Sequence, residues 1–286
     1  MKANHHGRLR GNVALITGAS RGLGRAIALA YATESADLVL ASRAGSAAEL
    51  RQVGTEAEAR GARVLTVSGD VASRDDVERL AAEALARFGR VDILVNNASA
   101  LGPVPMTLLL DTPIDAFESV LDINVLAPFL LIRAIAGQML ARGAGLIINV
   151  SSDAAVVGYP RWGAYGVSKA ALDQLTRTWA AEMESTGVGI VSIDPGSMNT
   201  LMHRTAEPDE DPAGWADPES IAPVFVDVAL AGAAVVNGRR FEAQSANLRI
   251  GTPARNQHLI PIRYKVCGFS ELGSSAAAIQ FQPASD

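Results

Sequence analysis

The stretch "NVALITGASRGLGRAIALAYA", residues 12–32, decides the fold of this chain. A short apolar run comes first, and an alanine-rich segment with apolar residues at helical spacing comes last. Between them lie Gly18, Gly22 and Gly24, which allow a turn that other residues rarely adopt. The stretch therefore predicts a strand, a glycine-rich turn and a helix, which is the beginning of a βαβ unit.

Six short apolar runs of this kind recur along the chain and alternate with longer segments of helical period. They lie at residues 12–17, 37–42, 63–68, 91–96, 145–151 and 188–194. The runs are apolar almost without alternation, as expected of strands buried on both faces of a parallel sheet. We therefore predict an α/β fold in a single domain, a doubly wound, mostly parallel Rossmann-type sheet with helices on both faces.

The same pattern divides the 286 residues into three parts. Residues 1–10 have charges but no apolar run and are predicted to be a flexible N-terminus, whereas residues 11–244 form the sheet domain. Within that domain, residues 198–218 contain prolines and little periodicity, which predicts a mobile loop, and residues 237–244 favour a turn and a final edge strand. Residues 245–286 form a tail whose structure the pattern leaves open.

The composition, with 49% hydrophobic residues and a formal net charge of −5, is typical of a soluble globular protein without a general cationic surface. It argues against nucleic acid as a partner and favours a small molecule. The single cysteine, Cys267, cannot form an internal disulfide, which is typical of a cytoplasmic protein. The apolar helical stretch from Val125 to Met139 is too short for about 20 membrane-spanning residues, so we expect no membrane association.

The glycine-rich turn is a candidate site for the pyrophosphate of a dinucleotide. Glycines let the backbone approach phosphates, and the N-terminus of the following helix supplies amide donors and a favourable dipole. The candidate cofactor-binding residues in this turn are Gly18, Ser20, Arg21, Gly22, Leu23 and Gly24. A purely structural turn is the alternative, although strand, turn and helix occur in the required order.

The binding end of the second strand distinguishes between the two common dinucleotides. An acidic residue there would bond a free ribose 2′-hydroxyl, whereas a basic residue accommodates a 2′-phosphate. Asp37 precedes its apolar run and lies at the wrong end, while Ser42, Arg43 and Arg21 lie at the binding end. Because two guanidiniums and a hydroxyl can clamp one phosphate, we predict NADP(H) in preference to NAD(H). The alternative is that both arginines are solvated surface residues.

Two further strand ends carry candidate cofactor-binding residues. After the third strand, Asp70 can accept a hydrogen bond from an adenine amino group and Val71 can pack on the ring. After the fourth strand, Asn97 and Ala98 offer an amide and a small side chain at a close backbone approach. Each pair is equally compatible with a turn that simply ends a strand.

Tyr165 and Lys169 are candidate acid–base residues, four positions apart in the segment "AYGVSKAAL". On a helix this spacing places both side chains on one face. A phenol with a pKa of about 10 is protonated at neutral pH, and an adjacent ammonium lowers that pKa by favouring the phenolate. The pair can therefore move a proton, unless Tyr165 makes only a structural contact.

Six elements occur in an order that resembles the short-chain dehydrogenase/reductase family over residues 11–244, above all its NADP-dependent members similar to 3-oxoacyl-ACP reductase. They are "TGASRGLG", "NNAS" at 96–99, Asn124 in "LDINVLAPF", Ser152 in "NVSSDA", Tyr165 and Lys169 in "YGVSK", and "PGSMNT" at 195–200. Ser99 stands where the family usually has glycine, and about forty residues follow the point where members usually end.

The resemblance implies a role for each matching residue. Tyr165 would donate a proton to a carbonyl oxygen, and Lys169 would also hold the nicotinamide ribose. Ser152 would bond the substrate oxygen, with adjacent Ser151 as the alternative, and Asn124 would organise a water and proton path. The residues expected at the nicotinamide end of the cofactor are Pro195, Gly196, Met198 and Thr200.

The leading interpretation is an NADP(H)-dependent oxidoreductase that reduces a ketone or aldehyde to an alcohol by hydride transfer, with Tyr165 as proton donor. One alternative is an alcohol or hydroxysteroid-type dehydrogenase that works oxidatively. The other is a non-catalytic nucleotide-binding regulatory protein, which would have no need of the acid–base pair.

Partners are less sharply defined by the sequence. Apolar residues after several strands suggest an apolar substrate, or they seal the pocket or contact another subunit. The resemblance implies a homodimer or homotetramer. His203 is more typical of a solvated loop residue than of a catalyst, and no His, Cys and Asp cluster has metal-ligand spacing, so no metal is expected.

Overall fold

Seven parallel strands form one sheet in the part of the chain that the computed structural model describes, residues 7–246, 248 and 250. The strands are β1 (Val13–Thr17), β2 (Asp37–Ser42), β3 (Val64–Ser68), β4 (Ile93–Asn96), β5 (Gly145–Val150), β6 (Val188–Asp194) and β7 (Arg240–Glu242). Their order across the sheet is β3-β2-β1-β4-β5-β6-β7. The winding reverses between β1 and β4, so a crevice for a ligand is expected at their carboxyl ends.

Helices cover both faces of this sheet. They are α1 (Gly22–Thr33), α2 (Ala47–Glu58), α3 (Arg74–Phe88), α4 (Ile114–Leu121), α5 (Ala127–Arg142), α6 (Gly163–Glu182), α7 (Leu201–Ala206), α8 (Pro218–Ala231) and α9 (Ala233–Val236). Helices α1, α2 and α8 pack on one face, and α3, α5 and α6 pack on the other. The predicted doubly wound Rossmann-type fold is confirmed.

Strand β1 shows why its sequence does not alternate. Ala14 and Ile16 belong to the apolar cluster on the α1 face, and Val13 and Leu15 belong to the cluster on the opposite face. All four side chains are at most 3% exposed. Every position of a strand covered on both sides must be apolar, which is the pattern that the sequence displays.

Residues 7–10 differ from the predicted flexible N-terminus. Leu9 is 2% exposed and belongs to the core cluster on the α1 face. The Arg8 guanidinium lies 2.6 Å from the Glu34 carboxylate at the end of α1. One buried leucine and the ion pairs of Arg8 with Glu34 and Asp227 therefore hold this segment on the domain. Local composition cannot predict such contacts between distant residues.

Residues 198–218 also differ from the predicted mobile loop, because they contain α7 and a short helical turn, Pro212–Gly214. The Thr200 hydroxyl caps α7 by accepting a bond from the His203 amide at 3.2 Å. Met198 pairs with Ala216 in an isolated bridge. The helix is too short to give a periodic signal, which explains why the sequence predicts a loop.

Helices α4 and α5 join through a π-helical segment, Asp122–Leu126, into one helix of 29 residues from Ile114 to Arg142. The prediction that this apolar stretch is too short to cross a membrane is therefore wrong, since by length and composition the helix passes that test. Of its most apolar stretch, 44% is buried within the protein. The absence of membrane association stays a prediction.

Most of the predicted tail, residues 245–286, lies outside the described residues, and so does Cys267. Strand β7 confirms the predicted edge strand, and it pairs with β6 in parallel. Its Arg240 points back toward the centre of the sheet and matters for the site described next.

Candidate active site

The glycine-rich turn after β1 forms a backbone cradle. Gly18 and Gly22 have φ angles of 66° and 52°, in the left-handed region that favours glycine. A Cβ on Gly24 would collide with the carbonyl oxygen of Gly18, so the third glycine is required by close packing of α1 on the turn. The side chain of Arg21, the N-cap residue, makes no capping bond, which leaves the first amides of α1 available for phosphate oxygens.

Thr17, which lies outside the predicted site residues, joins this turn to the loop after β4. Its hydroxyl oxygen accepts bonds from the amides of Asn97 and Ala98, both at 3.1 Å. The Asn97 side chain donates to the carbonyl oxygens of Thr17 and Gly18 at 2.9 and 3.2 Å. The structure therefore places Asn97 and Ala98 against the turn. Ser20 and Leu23 are buried within it.

At the end of β2, the structure differs in one residue from the predicted phosphate clamp of Arg21, Ser42 and Arg43. Arg21 and Arg43 are exposed, and the Arg21 guanidinium donates to the Ser46 hydroxyl at 2.8 Å. Ser42 is 7% exposed, and its hydroxyl donates to the carbonyls of Arg43 and Ser46 at 3.4 and 3.5 Å. Ser46, beyond the strand, is therefore the hydroxyl beside the Arg21 guanidinium, and Ser42 bonds the backbone instead.

Asp37 lies at the opposite end of β2 from this clamp, as predicted. The Arg63 guanidinium donates to its carboxylate at 3.0 Å and holds the pKa of Asp37 below its usual value. At the end of β3, Asp70 and Val71 line a small cavity, where the Asp70 carboxylate accepts a bond from the amide of Ala72 at 3.0 Å. These positions fit the predicted adenine contacts.

The loop after β6 lies against the glycine-rich turn. Gly196 has a φ of 71°, and its amide donates to the Asp194 carboxylate at 2.9 Å. The Gln244 amide donates to the carbonyl of Pro195 at 2.9 Å. At the other end of the loop, a Cβ on Gly22 would lie 3.5 Å from the methyl group of Thr200. Half-buried Met198 lies between these ends.

Tyr165, near the start of α6, faces the serine that follows β5. It is 9% exposed, and the hydroxyls of Ser152 and Ser99 beside it lower the pKa of its phenol. The Ser152 hydroxyl donates to the Asp153 carboxylate at 2.9 Å. Ser151 is 1% exposed and its hydroxyl has no partner among the described residues. The geometry therefore favours Ser152 over Ser151 as the partner of Tyr165.

Lys169 is buried beneath the tyrosine. Its ammonium donates to the Val150 carbonyl at 2.8 Å and lies 5.4 Å from the centroid of the Tyr165 ring. Burial lowers the pKa of Lys169 to about 8, against the opposing influence of Asp173 and Asp194.

The pKa of Tyr165 differs from the sequence expectation. Burial raises it, outweighing the neighbouring hydroxyls of Ser152 and Ser99 that lower it. The spacing of Tyr165 and Lys169 predicts the effect of the ammonium on this pKa, but burial depends on the tertiary fold. A phenol with a raised pKa is protonated at neutral pH, which suits a proton donor.

Asn124 lies in the π-helical segment between α4 and α5 and is 1% exposed. Its side-chain oxygen accepts bonds from the Ser99 hydroxyl at 3.0 Å and from the Ala100 amide at 2.8 Å. Its amide donates to the Ala100 carbonyl and to the Ser168 hydroxyl, both at 2.9 Å. Ser99 therefore lies between Asn124 and Tyr165. A π-helical turn at such a position is typical of functional sites.

A cavity of about 290 Å³ opens in front of Ser152 and Tyr165. Helix α7 forms one wall, where His203 packs edge-on against Trp215 with ring centroids 4.4 Å apart. The Trp162 indole donates to the Glu207 carboxylate at 2.7 Å. His203 is half-buried, so the prediction of a solvated loop residue is corrected by this packing.

Several site residues are missed by the sequence reasoning. They are Thr17, Ser46, Trp162, Asp173, Asp194 and Arg240. Thr17 opens the quoted motif and could have been found there, whereas the others have no local signal because their roles depend on partners far away in sequence. Among the described residues, no group of His, Cys, Asp and Glu could hold a metal ion.

Comparison with known proteins defines the class. Residues 12–211 match the model of the short chain dehydrogenase family. This match covers more than half of the chain, and it agrees with the glycine-rich turn on β1 and with the Ser152, Tyr165 and Lys169 arrangement. The chain belongs to the short-chain dehydrogenase/reductase family and is an oxidoreductase of that class.

Three similar proteins illustrate the range of the family. A 3-oxoacyl-[acyl-carrier-protein] reductase from Synechocystis sp. is 38% identical over 202 residues, 70% of this chain and 80% of the relative. A 2-(R)-hydroxypropyl-CoM dehydrogenase from Xanthobacter autotrophicus is 37% identical over 66% of this chain and 76% of the relative. A short chain dehydrogenase from Shigella flexneri, solved with NADP, is 29% identical with a TM-score of 0.77, over 84% of this chain and 100% of that one.

Proposed function

We propose that this protein is an NADP(H)-dependent reductase of ketones or aldehydes, with Tyr165 as the proton donor. The observation that carries the proposal is the buried phenol of Tyr165, with the Ser152 hydroxyl near enough to lower its pKa and the buried Lys169 ammonium beneath its ring. A protein that only binds nucleotides has no use for this arrangement.

The residues present fit a dinucleotide. The turn from Gly18 to Gly24 is a cradle that a Cβ would fill, and the loop from Pro195 to Thr200 lies against it. Asp70 and Val71 would contact the adenine, and Asn97 and Ala98 would lie along the cofactor between the two ends. A bound dinucleotide would supply or accept the hydride.

The chain's own side chains handle the proton. Ser152 would hold the carbonyl oxygen of the substrate, so that the Tyr165 hydroxyl can donate its proton to that oxygen. Lys169 would hold the ribose and stabilise the phenolate that remains, while Asn124, bonded through Ser99, would keep the tyrosine linked to a path for a replacement proton.

Two features support the assignment of NADP(H) as the cofactor and of reduction as the direction. Exposed Arg21 and Arg43, with the Ser46 hydroxyl, offer charge-assisted contacts to a 2′-phosphate, which favours NADP(H). The raised pKa of Tyr165 favours the protonated state that reduction requires. An oxidative dehydrogenase remains the second candidate, because the dehydrogenase from Xanthobacter autotrophicus carries the name of the reverse reaction.

The experiment that tests the function follows NADPH absorbance with a panel of ketones and aldehydes, and the reverse reaction with NADP⁺ and the matching alcohols. We expect NADPH consumption with at least one carbonyl, at a higher kcat/KM than with NADH. Binding of NADPH without turnover of any substrate in the panel would contradict the reductase and favour the regulatory alternative.

The cavity also supports a proposal on substrate charge. Carboxylates of Asp153, Glu207 and Glu210 line it, together with the aromatic rings of Tyr159 and Trp162, and no Lys or Arg is among its described lining residues. Carboxylates and ring faces attract cations. The walls are therefore less apolar than the sequence suggests, and they favour a substrate with a positive charge.

Matched ketones test this charge preference. We expect the N,N-dimethyl-4-oxopiperidinium cation to be reduced with about fivefold higher kcat/KM than the isosteric 4,4-dimethylcyclohexanone, with 4-oxocyclohexanecarboxylate slowest, because attraction to a partly exposed carboxylate is about 1 kcal/mol. Glu207→Gln combined with Glu210→Gln should remove most of the preference, whereas Glu118→Gln on exposed α4 should not. Equal rates for cation and neutral isostere would contradict the proposal.

We also propose that the protein is cytoplasmic and forms a homodimer or homotetramer. Leu110 and Ile114, at the start of the long helix, are 96% and 78% exposed, and Val167 on α6 is 46% exposed. Exposed apolar side chains of this size are typical of surfaces covered by a partner. Light scattering of the purified protein should therefore give at least twice the 29.8 kDa of one chain.

A further inference from the structure

A buried ionic cluster lies directly behind the catalytic side chains. Arg240 of β7 donates through Nε to Asp173 of α6 at 3.1 Å and through Nη2 to Asp194 at the end of β6 at 2.9 Å. The arginine side chain is 20% exposed and the two carboxylates are 4% and 7% exposed. Charges buried to this degree rarely add stability, because desolvation offsets their attraction. Stability alone therefore does not account for the cluster.

The same guanidinium contacts the catalytic backbone. Its Nη2 donates to the main-chain carbonyl of Ser152 at 2.9 Å. Asp173 lies one helical turn beyond Lys169 on α6, and both side chains are buried. Asp194 accepts the amide of Gly196 at 2.9 Å through its other oxygen. The planar guanidinium of Arg240 thus connects the three elements that carry Ser152, Lys169 and the loop at Gly196.

We propose that Arg240 is a positioning residue that, together with Asp173 and Asp194, fixes the backbone of Ser152 and sets the charge around Lys169 and Tyr165. The proposal rests on the reductase function proposed above. Arg240 does not touch the reacting atoms, and it acts through the residues that do. Arginine suits this task because its planar fork bonds several acceptors in fixed directions, which lysine cannot do.

The charges around the cluster predict a direction for each change. The charged groups that face one another here are Arg240 and Glu242 on β7, Asp173 and Lys169 on α6, Asp194 on β6 and Asp153 after β5. Asp173 and Asp194 raise the pKa of Lys169, and Asp194 raises that of Tyr165. Loss of Arg240 therefore leaves excess negative charge near Lys169 and Tyr165 and raises their pKa values. Loss of the Asp173 charge has the opposite effect.

The test measures the pH at half-maximal kcat/KM for alcohol oxidation with NADP⁺, the direction in which Tyr165 must lose its proton. Arg240→Met should shift this pH upward by about one unit, and Asp173→Asn should shift it downward by a similar amount, as expected when one charge is removed close to the titrating groups. Arg240→Lys should leave the midpoint nearly unchanged and reduce kcat about tenfold, because it keeps the charge but loses the fork.

Glu242→Gln is the matched control. It removes the charge of Glu242, which is 64% exposed and pairs with the same guanidinium at 3.1 Å. Because exposed ion pairs contribute little, neither kcat nor the pH midpoint should change. Shifts in the same direction for Arg240→Met and Asp173→Asn, or no shift in either, would overturn the proposal. If Arg240→Met does not fold, Asp173→Asn and Arg240→Lys carry the same test.

A second measurement separates this proposal from the proposed function. NADPH affinity, followed by cofactor fluorescence, should fall about tenfold in Arg240→Met through the Asp194 contact to the Gly196 loop, and should be unchanged in Glu242→Gln. If wild-type protein reduces no carbonyl, the reductase function fails. The affinity difference would still support the positioning role, and equal affinities would contradict it.

Discussion

Replacing Tyr165 by phenylalanine is expected to reduce kcat by about 10²–10⁴-fold, the range that a general acid contributes. The ring keeps its packing against Trp162, whose centroid lies 5.4 Å away, so the fold and the NADPH affinity should remain near those of the wild type. Steady-state rates with the best carbonyl of the panel, together with NADPH titration and a melting curve, measure all three quantities.

Tyr159→Phe provides the control for this change. Tyr159 lines the same cavity, is 41% exposed, and donates to Asp153 at 2.9 Å. It lacks the Lys169 ammonium beneath its ring, so its loss should change kcat only a few-fold. Undiminished turnover in Tyr165→Phe would contradict the proposed role of Tyr165 as proton donor, even if the protein proved to be a reductase.

Replacing Arg21 and Arg43 together by alanine is expected to lower the affinity for NADPH by at least about 100-fold, since each charge-assisted contact contributes about 1.5–3 kcal/mol. The affinity for NADH should change little, because only the 2′-phosphate is lost as a partner. The ratio of the dissociation constants for NADPH and NADH therefore measures how much the two arginines contribute to binding of the 2′-phosphate.

Arg177→Ala is a suitable control for general charge effects, because Arg177 is exposed on α6 and bonds only to Gln174 among the described partners. Equal losses of NADPH and NADH affinity in the double variant would contradict the NADP preference. Ser46→Ala, which removes the hydroxyl beside Arg21, should produce a smaller loss of the same sign.

The fold follows from patterns that are local in the chain. Strand β1, the turn at Gly18 to Gly24 and helix α1 were all predictable, because backbone conformation and burial on both faces restrict the residues at each position. The prediction was less good where a short element depends on remote contacts. Helix α7 and the N-terminal Leu9 illustrate this limit, since each is held by side chains far away in sequence.

The sequence by itself determined which residues are available for the proposed chemistry, because Tyr165 and Lys169 are brought together by the pitch of one helix and Ser152 follows a neighbouring strand. Tertiary structure alone decided how that chemistry is tuned. The raised pKa of Tyr165 comes from burial, Ser46 stands in the place predicted for Ser42, and Arg240 reaches Asp173, Asp194 and Ser152 from the sheet edge. Burial and long-range charge depend on residues that only folding brings together, and no local spacing encodes them.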